Sequence, residues 1–159
     1  VIGKQGRSIA RKDWQDHVFG YACLLDMVVR GREERVFRKA YDSFCPVGPW
    51  IVTADEVGDP TQLDMTLRVN GELKQHANTR DLVLDIPGMI EMASAVMTLY
   101  PGDIIATGTP SGVGPVKAGD QICIHIERVG EMTVRVVQGN NGATPALETP
   151  YTLDIVKQK

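Results

Sequence analysis

Asp64-Met65-Thr66-Leu67-Arg68-Val69-Asn70-Gly71-Glu72-Leu73-Lys74-Gln75-His76 is the stretch that decides the fold class. Two segments of alternating character flank Asn70-Gly71. An Asn-Gly pair accepts the positive φ that both central positions of a type I′ hairpin turn demand. Downstream, Gln121 to Glu127 and Glu131 to Val137 predict a second hairpin, closed across Val129-Gly130. Between the hairpins, Ile86, Ile90, Ala93, Val96 and Met97 recur at helical spacing. They predict a helix over Ile86 to Leu99, with Pro87 tolerated in its first turn and Pro101-Gly102 ending it. Asp103 to Thr107 reads as a strand, and Gly108 to Gly114 as a glycine- and proline-rich loop.

Working upstream, Trp50 to Thr53 predicts a short strand after a turn bounded by Pro46 and Pro49. His17 to Arg30 is rich in apolar and aromatic residues and predicts a long buried strand interrupted by Asp26. Arg11 to Asp16 suits a short helix starting near Ser8. The segment 138–159, with Asn140-Asn141-Gly142 and two prolines, is expected to be a loosely ordered tail. Neither a repeat nor a second-domain boundary is visible. The fold class expected is α+β and β-rich, one domain over 1–159 with one main helix. The sequence opens at Val1, without a methionine, on an apolar pair that reads as the end of a strand, so upstream sequence is expected.

A formal net charge of −3 and a pI near 5.6 leave no electrostatic footprint for nucleic acid. Basic residues cluster only at Arg30, Arg32, Arg35, Arg38 and Lys39, interleaved with Glu33 and Glu34; such a mix suits either a solvated face or an anionic substrate site. No apolar run approaches the ~20 residues needed to span a bilayer, so no membrane partner is expected. Cys23, Cys45 and Cys123 form no CxxC pair and no Cys/His grouping, which argues against a zinc site or a disulfide framework. Free thiols in apolar stretches fit a reducing compartment, and a cytoplasmic location is expected.

Three places could carry chemistry. Asp26 lies within Tyr21-Ala22-Cys23-Leu24-Leu25-Asp26-Met27-Val28-Val29. A carboxylate buried there would have to be paired, protonated or bound to a metal. Either it leaves the strand at the surface and pairs with Arg30, or it is an oxygen ligand for a hard cation such as Mg²⁺ or Mn²⁺, which needs more than one carboxylate. Thr107-Gly108-Thr109-Pro110-Ser111-Gly112-Val113-Gly114 can present backbone N–H groups and a hydroxyl to an anion, or be a wide turn; it has neither Walker nor dinucleotide spacing. Lys39 could hold a carboxylate or enolate, or be an exposed strand-edge lysine. His17, His76 and His125 read as structural, and no nucleophile elbow is present.

Placed in order, Val1-Ile2-Gly3-Lys4, Gly20-Tyr21 with Asp26 and Arg30, Lys39-Ala40-Tyr41-Asp42-Ser43-Phe44 and Gly48-Pro49-Trp50 form a recognisable series. It continues through Val69-Asn70-Gly71-Glu72, Asn78-Thr79-Arg80-Asp81, Leu99-Tyr100-Pro101-Gly102-Asp103 and the Thr107 to Gly114 loop. Over roughly Val1 to Val137 the chain resembles the fumarylacetoacetate hydrolase family. The Val29-to-Ala40 loop and the Asn78 stretch are nearest to members described as 2-hydroxyhepta-2,4-diene-1,7-dioate isomerases.

The resemblance implies a β-roll with small helical content, a homodimer, and Mg²⁺, Mn²⁺ or in some members Ca²⁺ acting on 2-oxo-acids and their enols. The implied activities are C–C bond hydrolysis, isomerisation or decarboxylation in aromatic-compound catabolism, with a small oxo-acid as substrate. Asp26 matches a metal carboxylate, Arg30 and Lys39 match residues around substrate and metal, and Thr109 matches a threonine contacting the substrate. Lys39 is the catalytic candidate of this set. The family's Glu-x-Glu metal pair and its lid would precede Val1. Glu33 replaces a glutamine common in the family. The competing expectation is a non-catalytic fragment that keeps the fold without a complete metal site.

Overall fold

The computed structural model describes residues 1–32, 34 and 36–138, and the backbone of Tyr151–Ile155. The Asn70-Gly71 hairpin forms as read. β3 (Asp64–Val69) and β4 (Glu72–Asn78) pair antiparallel, and φ is +51° at Asn70 and +82° at Gly71. Asn70 does more than turn the chain. Its Nδ2 donates to Asp120 Oδ1 at 2.9 Å, and its Oδ1 accepts from Gln121 N at 2.9 Å. The turn is thereby latched to the start of β5 (Gln121–Ile126), which pairs with β3 and with β6 (Gly130–Gln138).

Tyr151–Ile155 adds a further antiparallel strand, β7, along β6. A loosely ordered tail was expected there; the rest of that segment, 139–150 and 156–159, lies outside the described residues, as do Glu33 and Arg35. The sheet order is β4-β3-β5-β6-β7, and a second, two-stranded sheet joins β1 (Gly20–Leu24) to β2 (Val47–Thr53). The molecule is therefore β-rich with two antiparallel sheets, as the patterning predicts.

Alternation along the strands builds the core between the sheets. Ile122, Ile124, Met132, Val134 and Val136 face inward and meet Cys23, Leu25, Val57 and Leu63. Burying each such apolar side chain stabilises by about 1.5–3 kcal/mol. The two-stranded sheet clamps this packing from the other side: Trp50 Nε1 on β2 donates to Val129 O at 3.0 Å, and Cys23 Sγ on β1 lies 3.5 Å from Gly130 O.

A second cluster gathers Ile2, Ile9, Ile86, Ile90 and Leu99 under α2 (Ile86–Val96). Asp85 caps α2 by accepting from Gly88 N at 3.0 Å, and Pro87 sits in the first turn where its missing N–H costs nothing. The helix stops at Val96, three residues short of the periodic stretch. Leu99 is drawn instead into paired backbone hydrogen bonds with Gly6, at 3.0 and 2.9 Å. Tyr21 packs against both clusters, and burial pushes its phenol up to about 12.

Two of the expected strands do not form as read. His17 to Arg30 is not one strand: a 3-10 turn occupies Arg11–His17, and regular pairing ends at Leu24. Beyond it Leu25 N, Met27 N and Val29 N still donate to Pro46 O, Phe44 O and Arg38 O. The return bonds are missing because Pro46 has no N–H and Phe44 N donates to Tyr41 O. Asp103 to Thr107 is not a strand: Asp103 O accepts from Ile2 N while Asp103 N turns back to Tyr100 O, and no ladder follows among the described residues. A four-residue helix α1 (Ala54–Val57) and the strand Tyr151–Ile155 were not foreseen.

Asp120 is 7% exposed. Its side-chain bonds from Asn70 and Lys117 N hold the carboxyl below its usual 3.8. A depressed carboxyl stabilises the fold at pH above the unfolded value and loses that contribution as pH falls through the folded one. Asp120→Asn should therefore be less stable than the parent at pH 7, with the gap narrowing as pH drops below about 3.8, read from urea midpoints across pH.

Candidate active site

Cys23 and Leu25 are buried, and Met27 packs against the same core. Successive residues of an extended chain face opposite sides, so Asp26 is turned away from that core. Its side chain is 41% exposed and forms an ion pair with Lys39. The partner is Lys39 and not Arg30, against the simpler sequence reading.

Lys39 reaches Asp26 because the return strand is interrupted. Arg38 N donates to Glu34 O at 3.2 Å, Lys39 N to Val36 O at 3.2 Å and Ala40 N to Val36 O at 3.0 Å, which makes a helical turn. Phe44, 5% exposed and tilted against Tyr41 with ring centroids 5.0 Å apart, anchors the far end of the segment. The structure thus joins two residues thirteen apart in sequence at the end of β1.

Arg30 and Thr109 are exposed and make no hydrogen bond or ion pair with another described residue. No contact ties either of them to the Asp26–Lys39 pair. The loop carrying Thr109 is nonetheless held firmly. Gln75, 7% exposed on β4, donates from Nε2 to Pro110 O at 3.1 Å. Gly112 has φ +99°, and a Cβ there would lie 1.8 Å from Lys74 O. Gln75 and Gly112 are positioning residues that sequence reasoning missed. Gln75 had no local signal, because its strand neighbours are polar and only tertiary packing buries it.

The cavities among the described residues include one of about 390 Å³ and one of about 210 Å³. The larger is lined by Thr61, Thr79, Arg80 and Asp85, the smaller by Trp14, Tyr21 and Asp55, and none of the predicted site residues lines either. The Asp26–Lys39 pair lies on open surface, and no group of three His, Cys, Asp or Glu side chains among the described residues could hold a metal ion. The donor chemistry still suits a hard cation. A carboxylate offers about four lone-pair sites, and one ammonium leaves most of them open. By itself Asp26 could supply no more than one arm of such a donor set. Among the described residues no helix is long and apolar enough to cross a membrane.

Known proteins share the sequence and fold of this chain. The chain belongs to the fumarylacetoacetate hydrolase family: residues 1–137 match the family model for the fumarylacetoacetate (FAA) hydrolase C-terminal region. It is 51% identical over 136 residues to a maleylpyruvate hydrolase of Aquipseudomonas alcaligenes, covering 86% of this chain and 47% of that protein. It resembles the crystal structure of maleylpyruvate hydrolase from Sphingobium sp. SYK-6 in complex with manganese(II) ion and pyruvate. That match has a TM-score of 0.84 and 74% identity, over 88% of this chain and 52% of that one. The 2-hydroxyhepta-2,4-diene-1,7-dioate isomerase from Mycobacterium marinum matches with a TM-score of 0.79 and 42% identity, over 84% of this chain and 53% of that one. The chain spans about half the length of these relatives.

Gly112→Ala should lift the Thr109 loop from β4, because neither the φ nor the contact with Lys74 O accommodates a methyl. Faster limited proteolysis within residues 108–114 is expected, and an unchanged cleavage pattern would show that the loop is held by something else.

Proposed function

We propose that the whole protein is a divalent-metal-dependent enzyme that hydrolyses a C–C bond in an acylpyruvate-type 2-oxo-acid. One observation carries the reading: the fold turns Asp26 outward and brings Lys39 to it, on a chain 74% identical to a hydrolase solved with manganese(II) and pyruvate. The share of the relatives that this chain spans leaves room for further metal donors elsewhere in the protein. Mg²⁺ would serve as well as Mn²⁺, since both are hard cations that take carboxylate oxygens. A homodimer in the cytoplasm belongs to the same reading.

Asp26 would contribute one carboxylate oxygen to the cation. When bound, the cation supplies Lewis-acid polarisation of the substrate's 2-oxo group. Lys39 would then turn its ammonium from Asp26 toward the substrate, offsetting negative charge that grows along the reaction. Thr109 would donate its hydroxyl to a carboxylate oxygen, with Gln75 and Gly112 fixing where that hydroxyl stands. Arg30, exposed beside the same segment, would add a cation at the rim.

Isomerisation is the second reading, favoured by the 42% identity to the isomerase from Mycobacterium marinum. Hydrolysis and isomerisation diverge after the shared activation, according to whether water attacks the distal carbonyl or a proton returns to another carbon. A screen of the full-length protein with Mn²⁺ separates them. Acylpyruvates lose ultraviolet absorbance and release pyruvate on hydrolysis; hydroxymuconate-type diacids change spectrum without releasing it. Absence of metal-dependent turnover on every substrate would leave a non-catalytic domain.

Asp26→Ala in the full-length protein should abolish Mn²⁺-dependent turnover with the fold retained by circular dichroism. Activity that recovers fully at saturating Mn²⁺ would remove Asp26 from the ligand set. Thr109→Val should raise KM for the oxo-acid about tenfold, as expected for one lost hydrogen bond to a charged group; an unaltered KM would take Thr109 out of the site.

A further inference from the structure

The tip of the β3–β4 hairpin holds a chemically labile pair. Asn70 is followed by Gly71, and both lie beyond the last pair of the ladder, Val69 with Glu72. In such a pair the Gly71 nitrogen can attack the side-chain carbonyl carbon of Asn70. The Cγ–Nδ2 bond breaks, and ammonia leaves carrying the Gly71 amide proton. Water then opens the cyclic imide at either carbonyl. One product is aspartate with the chain intact; the other is isoaspartate, with the chain rerouted through the side chain. No oxidant or reductant takes part. Glycine favours the closure because no side chain obstructs its nitrogen, and the space about Gly71 is open: a Cβ there would meet nothing within 4 Å.

Asn70 is exposed at this tip, yet three hydrogen bonds hold it. Its backbone N donates to Gln121 O, its Nδ2 donates to Asp120 Oδ1, and its Oδ1 accepts from Gln121 N, each at 2.9 Å. The carboxamide is thereby drawn to the start of β5. Nδ2 cannot depart as ammonia while it donates to Asp120, and rotation of the side chain into an imide ring breaks its bond with Gln121 as well. The product fits the same place badly. A carboxylate at position 70 has no N–H to give Asp120, which is 7% exposed and accepts from Lys117 N at 2.8 Å through its other oxygen. Two carboxylate oxygens would then face each other where a donor had met an acceptor, and like charges so close repel. The Lys117 ammonium acts on Asp120, but it offsets one charge and not two.

We propose that Asn70 is a deamidation site gated by its own latch. The closed turn withholds the carboxamide from Gly71, and the finished reaction replaces the bond to Asp120 with a repulsion that keeps the turn open. The consequence reaches along the sheet, because β4 leaves this turn and seats the Thr109 loop through Lys74 O and Gln75. An opening of the tip is thus recorded as a permanent chemical change.

The gate is tested by incubating full-length protein in mildly alkaline buffer, native and in concentrated urea, and mapping peptides by mass spectrometry. Mapping separates Asn70 from the second Asn-Gly pair, at Asn141. Deamidation at Asn70 should be at least about tenfold slower in the native protein, as expected where a hydrogen bond to a charged group must break first. Equal rates overturn the gate. The repulsion is tested by urea midpoints at neutral pH. Asn70→Asp should unfold at lower urea than the parent. Adding Asp120→Asn should recover part of the loss, because a donor and an acceptor then face each other with their roles exchanged. A midpoint for Asn70→Asp equal to the parent's, or a double variant that recovers nothing, overturns the proposal. Should Asn70→Asp alone fail to fold, a folded double variant supports it.

Discussion

The alternation of residues from Tyr21 to Met27 is the constraint on which the rest of the structure depends. Cys23 and Leu25 are held in the core against Ile122, Ile124 and Met132, and a one-residue slip would bury Leu24 and Asp26 in their place. An ionised aspartate in that core would cost several kcal/mol. The hydrophobic packing that stabilises the fold is thus the force that aims Asp26 outward.

The partner segment shows how an interrupted ladder becomes useful. Pro46 cannot donate to the strand opposite, and Phe44 spends its N–H on Tyr41 O. The chain therefore leaves the sheet, winds one helical turn and presents Lys39 at the point where regular pairing would have placed a strand residue. Irregular backbone is tolerated here because Phe44 is buried and pins the segment, while most of its other residues are exposed.

A different device holds the loop that carries Thr109. Edge strand β4 would otherwise offer free backbone groups to any neighbour. Close seating of Gly112 on Lys74 O and the Gln75 bond to Pro110 O cover part of it. Covering an edge and positioning a loop are here the same contact, so substitutions at Gln75 or Gly112 would disturb both together.

The sequence by itself determined the elements that depend on neighbours within a few residues. The Asn70-Gly71 turn, the α2 start at Ile86 and Pro87, and the second hairpin follow from turn chemistry and periodicity, which are local. Family membership was legible for a related reason, since an ordered set of short motifs survives in the chain as text. Tertiary structure alone decided the pairing of Asp26 with Lys39 instead of Arg30, the early end of α2 at Val96, and the burial of Gln75 and of Arg38 Nε. Each of these follows from contacts between segments far apart along the chain, where desolvation and competing hydrogen bonds outweigh local preference.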